Sequence, residues 1–187
     1  MVESLVMTRQ EFLRAIQSRA ARGAVGPSAV RGRGHRGTVS AARLFLRQVD
    51  LTLFGCSTAR EFAHALNYTT GRLQKALPWR ARKWGIARKV LNIFLRDCLY
   101  TTYLESAYRL HRAEHFFELP LDSITGTALK RAAGRGGLPK WPGVKHLKSS
   151  VSARFQRAAD VEATRQGIAR VHLDALWFSV ARDEDAG

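Results

Sequence analysis

Residues 84–97 read W-G-I-A-R-K-V-L-N-I-F-L-R-D, and their reading decides the fold. Val90, Leu91, Ile93, Phe94 and Leu95 fall on several sides of a helix rather than along one stripe, the mark of a helix buried on most faces. The pattern predicts one long central helix from residue 86 to about residue 110. Gly85 stands at its mouth. Two cations, Arg88 and Lys89, follow in what reads as the first turn. The helix macrodipole already puts positive charge there and disfavours cations by roughly a few tenths of a kcal/mol each. Either that end is wet, or an anion is meant to arrive.

Composition favours the anion. The chain has 31 Lys+Arg against 15 Asp+Glu, a formal charge of +16 and a pI near 11.1. Such a field fits a binder of phosphate backbones. Hydrophobic residues make up 45% of the chain, enough for a normal core, which excludes a disordered basic tail. At 187 residues one domain is the expectation. Cys56 and Cys98 have no metal-ligand spacing and read as buried thiols in a reducing cytoplasm. Neither a metal nor a cofactor is expected. No apolar run approaches the ~20 residues of a membrane span, and the N-terminus lacks the apolar core of a secretory signal.

Helix signals recur along the chain. Thr8 and Glu11 form a capping box that opens a helix running to Gly23. Residues 24–37 are a Gly/Arg-rich loop, followed by an apolar helix over 39–54. Thr58 and Glu61 open a second capping box, with a helix through Leu66 stopped at Asn67 and a short one over 71–77 ended by Pro78. Residues 79–85 form a basic connector. Pro120 breaks the chain before Asp122 or Ser123 caps a helix to about Ala133. A loop rich in Gly, Pro and cations leads to an amphipathic helix from Ser149 or Ser150 to Arg165. Gly167 ends it, and a last helix spans 168–180. The prediction is an all-α, single compact multi-helix domain. Residues 1–36 form an N-terminal helix and basic loop, 37–182 the helical domain, and 183–187 an acidic tail.

The positive charge is not spread evenly. From Arg72 to Arg96 there are eight basic residues and no acidic one; from Lys130 to Lys148 there are six and again no acidic one. Folded onto one face, the two stretches make a groove for nucleic acid; the plainer reading is a solvated charged surface. Trp79, Trp84 and Trp141 lie within or beside these runs. There they serve either to stack on a base or to edge the core.

The stretch G-I-A-R-K-V-L-N-I-F-L, residues 85–95, resembles the hairpin and second helix of the helix–hairpin–helix DNA glycosylases. In that family a Gly-hydrophobic-Gly turn leads into a helix carrying the catalytic lysine, commonly in G-R-K-T-A-N. Here A-R-K-V-L-N places Lys89 at that position. The family's catalytic aspartate follows a short apolar stretch just before another helix, and L-P-L-D-S places Asp122 there. The pair is 33 residues apart (122 − 89), a spacing similar to the archaeal 8-oxoguanine DNA glycosylase branch. Lys83-Trp84-Gly85 stands where the family has Leu-Pro-Gly, and Ala87 stands where it has the second glycine.

The resemblance implies an enzyme that flips a damaged or modified base out of double-stranded DNA and hydrolyses its N-glycosidic bond. It would serve base-excision repair or defence against modified foreign DNA. Asp122 would be the essential acid, and Lys89 would add lyase activity through a Schiff base. A lysine attacks only as the neutral amine, a form that a helix N-terminus beside Arg88 favours. Gly85, Ala87 and Arg88, with Arg80, Arg82, Lys83, Trp84, Lys140 and Lys145, would hold the DNA. The protein would be a monomer in the cytoplasm, associated with the nucleoid through DNA. Two alternatives stay open at these residues: Lys89 as a phosphate contact only, and Asp122 as an N-cap only. A non-catalytic DNA- or RNA-binding protein is the corresponding alternative for the whole chain. His115 and Glu118 stand just ahead of Asp122. Arg170, His172 and Asp174 read as capping and packing residues.

Overall fold

The computed structural model describes residues 7–26 and 37–177. Helix α4 (Trp84–Leu99) is the centre, with Val90, Leu91, Phe94, Leu95 and Cys98 essentially free of solvent. Helices α1 (Arg9–Ala24) and α3 (Ala59–Ala76) lie against it. The capping box of α1 is formed as its sequence indicates: Glu11 N donates to Thr8 Oγ1 at 3.3 Å, and Thr8 N donates to Glu11 Oε2 at 2.8 Å. Buried Gln17 on α1 donates to the carbonyls of Leu46 (3.1 Å) and Val49 (2.8 Å), tying α1 to the end of α2 (Thr38–Leu46). The helix of the 1–36 segment thus shares its core with the 37–182 region.

Three helix boundaries differ from those the sequence indicates. The 39–54 helix is split. α2 stops at Leu46, and Asp50 caps a separate 3-10 turn, Leu51–Phe54, by accepting from Thr52 N at 3.0 Å. Conversely, the two helices expected over 59–77 are one. Asn67 and Gly71 lie inside α3, because Phe62, Leu66 and Leu73 bury against the core at helical spacing. Burial of about 1.5–3 kcal/mol per large apolar side chain exceeds the ~1 kcal/mol cost of an interior glycine. The long 86–110 helix is also broken. α4 ends at Leu99, and the Thr101 hydroxyl turns back to donate to Asp97 O at 2.7 Å. A short α5 (Thr102–Tyr108) follows, closed by Arg109 in the left-handed region at φ 56°, then a 3-10 stretch, Leu110–Phe116.

Helices α6 (Ser123–Ala132) and α7 (Ser149–Gln166) occupy their expected positions, and Gly167 at φ 66° ends α7. After it the chain makes a 3-10 turn, Arg170–His172, and is helical at 173–177. The rest of the helix expected to residue 180, the acidic tail and the arginines at 31, 33 and 36 lie outside the described residues. The architecture is an all-α single domain, and no strand occurs among the described residues. Among them, no helix is long and apolar enough to cross a membrane.

The apolar interior has two parts. One surrounds α4 with α1, α2 and α3. The other gathers Leu119, Leu121, Leu129, Leu147, Phe155, Ala159, Ala163 and Leu173 between α6, α7 and the segment before α6. Trp141 packs against both. Residues 117–122 run along the seam between them.

Candidate active site

The seam segment F-E-L-P-L-D, residues 117–122, has no strand beside it, so its backbone groups need other partners. Side chains supply them. Gln156 of α7 donates from Nε2 to Leu119 O at 2.9 Å and accepts from Leu119 N through Oε1 at 3.0 Å. Arg170 donates to Phe117 O at 2.9 Å and to Phe116 O at 3.0 Å. Thr125 Oγ1 donates to Pro120 O at 3.1 Å. Phe117, Leu119 and Leu121 are buried. Glu118 and Asp122, four residues apart in this run, both meet α4.

Asp122 is the N-cap of α6. Its Oδ1 accepts from Ile124 N at 2.9 Å and Thr125 N at 3.1 Å, while Thr125 Oγ1 accepts from Asp122 N at 2.9 Å, a reciprocal capping box. Its other oxygen, Oδ2, lies 3.3 Å from Lys89 Nζ. The two side chains are 13% and 21% exposed, so the pair sits at the surface edge of the seam. The structure thus joins the two residues singled out as a catalytic pair, across 33 positions of sequence. One carboxylate oxygen holds the helix while the other faces the amine, so the N-cap and amine-partner roles of Asp122 coexist.

Directly beside it, Arg88 and Glu118 form a buried pair, with Arg88 Nε 3.0 Å from Glu118 Oε2. Nε points off the hydrogen-bond axis and has no hydrogen-bond partner. Arg88 donates from Nη2 to Glu118 Oε1 (3.4 Å) and to Asn67 Oδ1 (2.8 Å), and from Nη1 to Thr70 Oγ1 (2.7 Å), the last two on α3. Asn92 Nδ2 donates to Glu118 Oε2 at 3.0 Å. The guanidinium lies over the Trp84 ring, 5.1 Å from its centroid. Burial pulls the Arg88 guanidinium below its ordinary pKa, an effect the Glu118 carboxylate opposes.

The entrance to α4 differs from the resemblance. The helix begins at Trp84 with Lys83 as N-cap, so Gly85 and Ala87 are helical and no tight glycine hairpin forms there. The link from α3 is residues 77–83, with a single 3-10 turn, Trp79–Ala81. Arg88 and Lys89 consequently lie in the second turn, where the macrodipole has weakened. Three expected DNA contacts are accordingly corrected. Ala87 is 0% exposed. Arg88 is held inward by Glu118 and α3. Gly85 is a packing residue, since a Cβ there would overlap Val144 O and come within 2.8 Å of Leu147 Cβ.

That close approach also brings the two acid-free basic stretches together at one point, seating the 144–147 segment on the first turn of α4. Arg80, Arg82, Lys83, Lys140 and Lys145 are all exposed. Trp84 is half-buried under Arg88. Trp141 packs on Gly126, where a Cβ would come within 2.8 Å of its ring, and sits edge-on to Phe155 at 5.2 Å, so it is a core residue.

Sequence reasoning missed Asn67, Thr70, Asn92 and Gln156, ordinary polar residues whose roles depend on helices brought together by folding. His115 is exposed with its ring against Phe116. Arg170 caps carbonyls as expected. His172 bridges Tyr100 OH (2.9 Å from Nδ1) and Glu114 Oε1 (2.8 Å from Nε2), and Asp174 pairs with Arg96. Burial raises the Tyr100 phenol above its ordinary pKa.

No protein-family model, curated protein or solved structure matches this chain. What the site can do therefore rests on its own geometry.

Proposed function

We propose that the protein is a DNA glycosylase acting on a damaged or modified base of duplex DNA, with Lys89 and Asp122 as its catalytic residues. The observation that carries this reading is the 3.3 Å approach of Lys89 Nζ to Asp122 Oδ2 at a half-open seam. Asp122 Oδ2 takes the ammonium proton, leaving the amine lone pair free. The amine bonds to C1′ of the extruded nucleotide as the C1′–N bond breaks. The electron pair departs with the base, which receives the proton. Opening of the sugar ring then gives the Schiff base from which strand cleavage proceeds. Once Asp122 has passed that proton to the leaving base, its carboxylate faces the positive charge left on the sugar and the attached nitrogen. The exposed cations around the start of α4 and at 140–145 supply phosphate contacts on either side of the seam. The same chemistry serves base-excision repair or attack on modified foreign DNA.

The test is borohydride trapping on duplexes that each carry one damaged or modified base, comparing wild type with Lys89→Ala and Asp122→Asn. Asparagine is as good an N-cap as aspartate, so Asp122→Asn keeps α6 capped while removing the carboxylate. A covalent adduct lost in Lys89→Ala, with base release lost in Asp122→Asn, is the expected result. Base release without an adduct would demote Lys89 to a phosphate contact. Salt-sensitive binding with no base release from any substrate would leave a non-catalytic DNA-binding protein.

A further inference from the structure

Trp79 is 69% exposed, more than any other large hydrophobic side chain in the described structure. Burying an indole normally stabilises a fold, so one held out in water needs another reason. It is also held out firmly. Its neighbours Leu77 and Ala81 are buried at 1% and 0% exposure. The turn between them is closed by Ala81 N donating to Pro78 O at 2.9 Å and Lys83 N donating to Ala81 O at 2.7 Å. Arg82 Nε donates back to Leu77 O at 3.3 Å. The Arg80 guanidinium lies over the indole, 5.0 Å from its centroid. Arg80, Arg82 and Lys83 are all exposed, and no acidic residue occurs from Arg72 to Arg96. The other two tryptophans of the basic stretches do not share this setting, since Trp84 lies under Arg88 and Trp141 is packed.

We infer that Trp79 is a stacking platform for an unpaired base of a DNA strand, with Arg80, Arg82 and Lys83 holding the phosphates on either side. An aromatic face accepts any base, and a turn pinned at both ends lowers the entropy lost on binding. The surrounding charge selects a polyanion over an apolar peptide. Trp79 precedes the first residue of α4 by five positions, and Lys89 follows it by five. The platform therefore lies within ten residues of Lys89 along the chain. The inference rests on the DNA reading above but not on its chemistry.

The experiment is equilibrium binding of the full chain, by fluorescence anisotropy, to a paired duplex and to the same duplex with one unpaired nucleotide. Wild type, Trp79→Ala and Trp79→Phe are compared. The wild type should prefer the unpaired site, and Trp79→Ala should lose that preference by about 5- to 150-fold while binding the paired duplex normally. Trp79→Phe should restore much of it. Equal preference in wild type and Trp79→Ala would overturn the platform and leave the DNA reading standing. Absence of salt-sensitive binding to either duplex would overturn both.

Discussion

Replacing Glu118 by alanine should cost far more than the loss of a surface ion pair, and the reason lies in what remains. The Arg88 side chain is 8% exposed and Glu118 is 16% exposed. Removing the carboxylate leaves a guanidinium in the interior with only the neutral oxygens of Thr70 and Asn67 as partners. Breaking a buried pair on one side typically costs about 3–5 kcal/mol, against at most ~1 for an exposed pair. The two remaining hydrogen bonds place Glu118→Ala at the lower end, near 3 kcal/mol. In a chain of this size that corresponds to a fall in Tm of about 6–12 °C. Urea unfolding followed by far-ultraviolet circular dichroism measures it. Arg88→Met combined with Glu118→Met should recover most of the loss, because no charge is then left buried. A single variant that loses under ~1 kcal/mol, or a double variant as unstable as the single, would refute the burial argument.

Gly85→Ala should destabilise by about 2 kcal/mol despite alanine's better helix propensity, because the new methyl meets the Val144 carbonyl, which is backbone and cannot rotate aside. A variant as stable as wild type would mean that 144–147 is not seated on α4. Asp97 sets a pH dependence: burial raises its pKa above the ordinary carboxylate value, an effect that Arg96 opposes. The native state therefore holds its proton more tightly than the unfolded chain. Its contribution to stability falls as pH rises from the ordinary carboxylate pKa through the raised one. Asp97→Asn should accordingly be more stable than wild type at neutral pH, with the gain vanishing in acid below about pH 4. Chemical denaturation at two pH values measures this, and a gain confined to acid would reverse the sign.

How much of this was legible in the sequence depended on whether a signal was local. The capping box at Thr8, the Thr58 hydroxyl cap and the left-handed Gly167 act within a few residues, and their helices start or stop as read. Asn67 and Gly71 are local stop signals too, yet α3 runs through both. Their cost is small beside the apolar side chains that α3 buries on α4, and Asn67 spends its oxygen on Arg88. The break after Leu99 has no glycine or proline to announce it. It turns on a threonine hydroxyl reaching back to Asp97, and Arg109 at φ 56° closes the short helix that follows. Within the candidate site, Lys89 and Asp122 were readable because two short motifs marked them. The inward course of Arg88 was not, because its partners come from α3 and the seam segment and no pattern along α4 encodes them.

Gln156 has an implication for how this chain can vary. Its amide satisfies both backbone groups of a residue 37 positions away, and those groups are the same whatever side chain Leu119 carries. Any apolar residue of suitable shape can therefore replace Leu119 without touching those bonds. Most changes at residue 156 would instead strand a buried N–H and a buried C=O together, each costing about 1–3 kcal/mol. One of the restraints that keep both acids facing α4 is thus carried on α7. A relative could diverge widely around the seam segment and keep its geometry, provided the glutamine on the distant helix stayed in place.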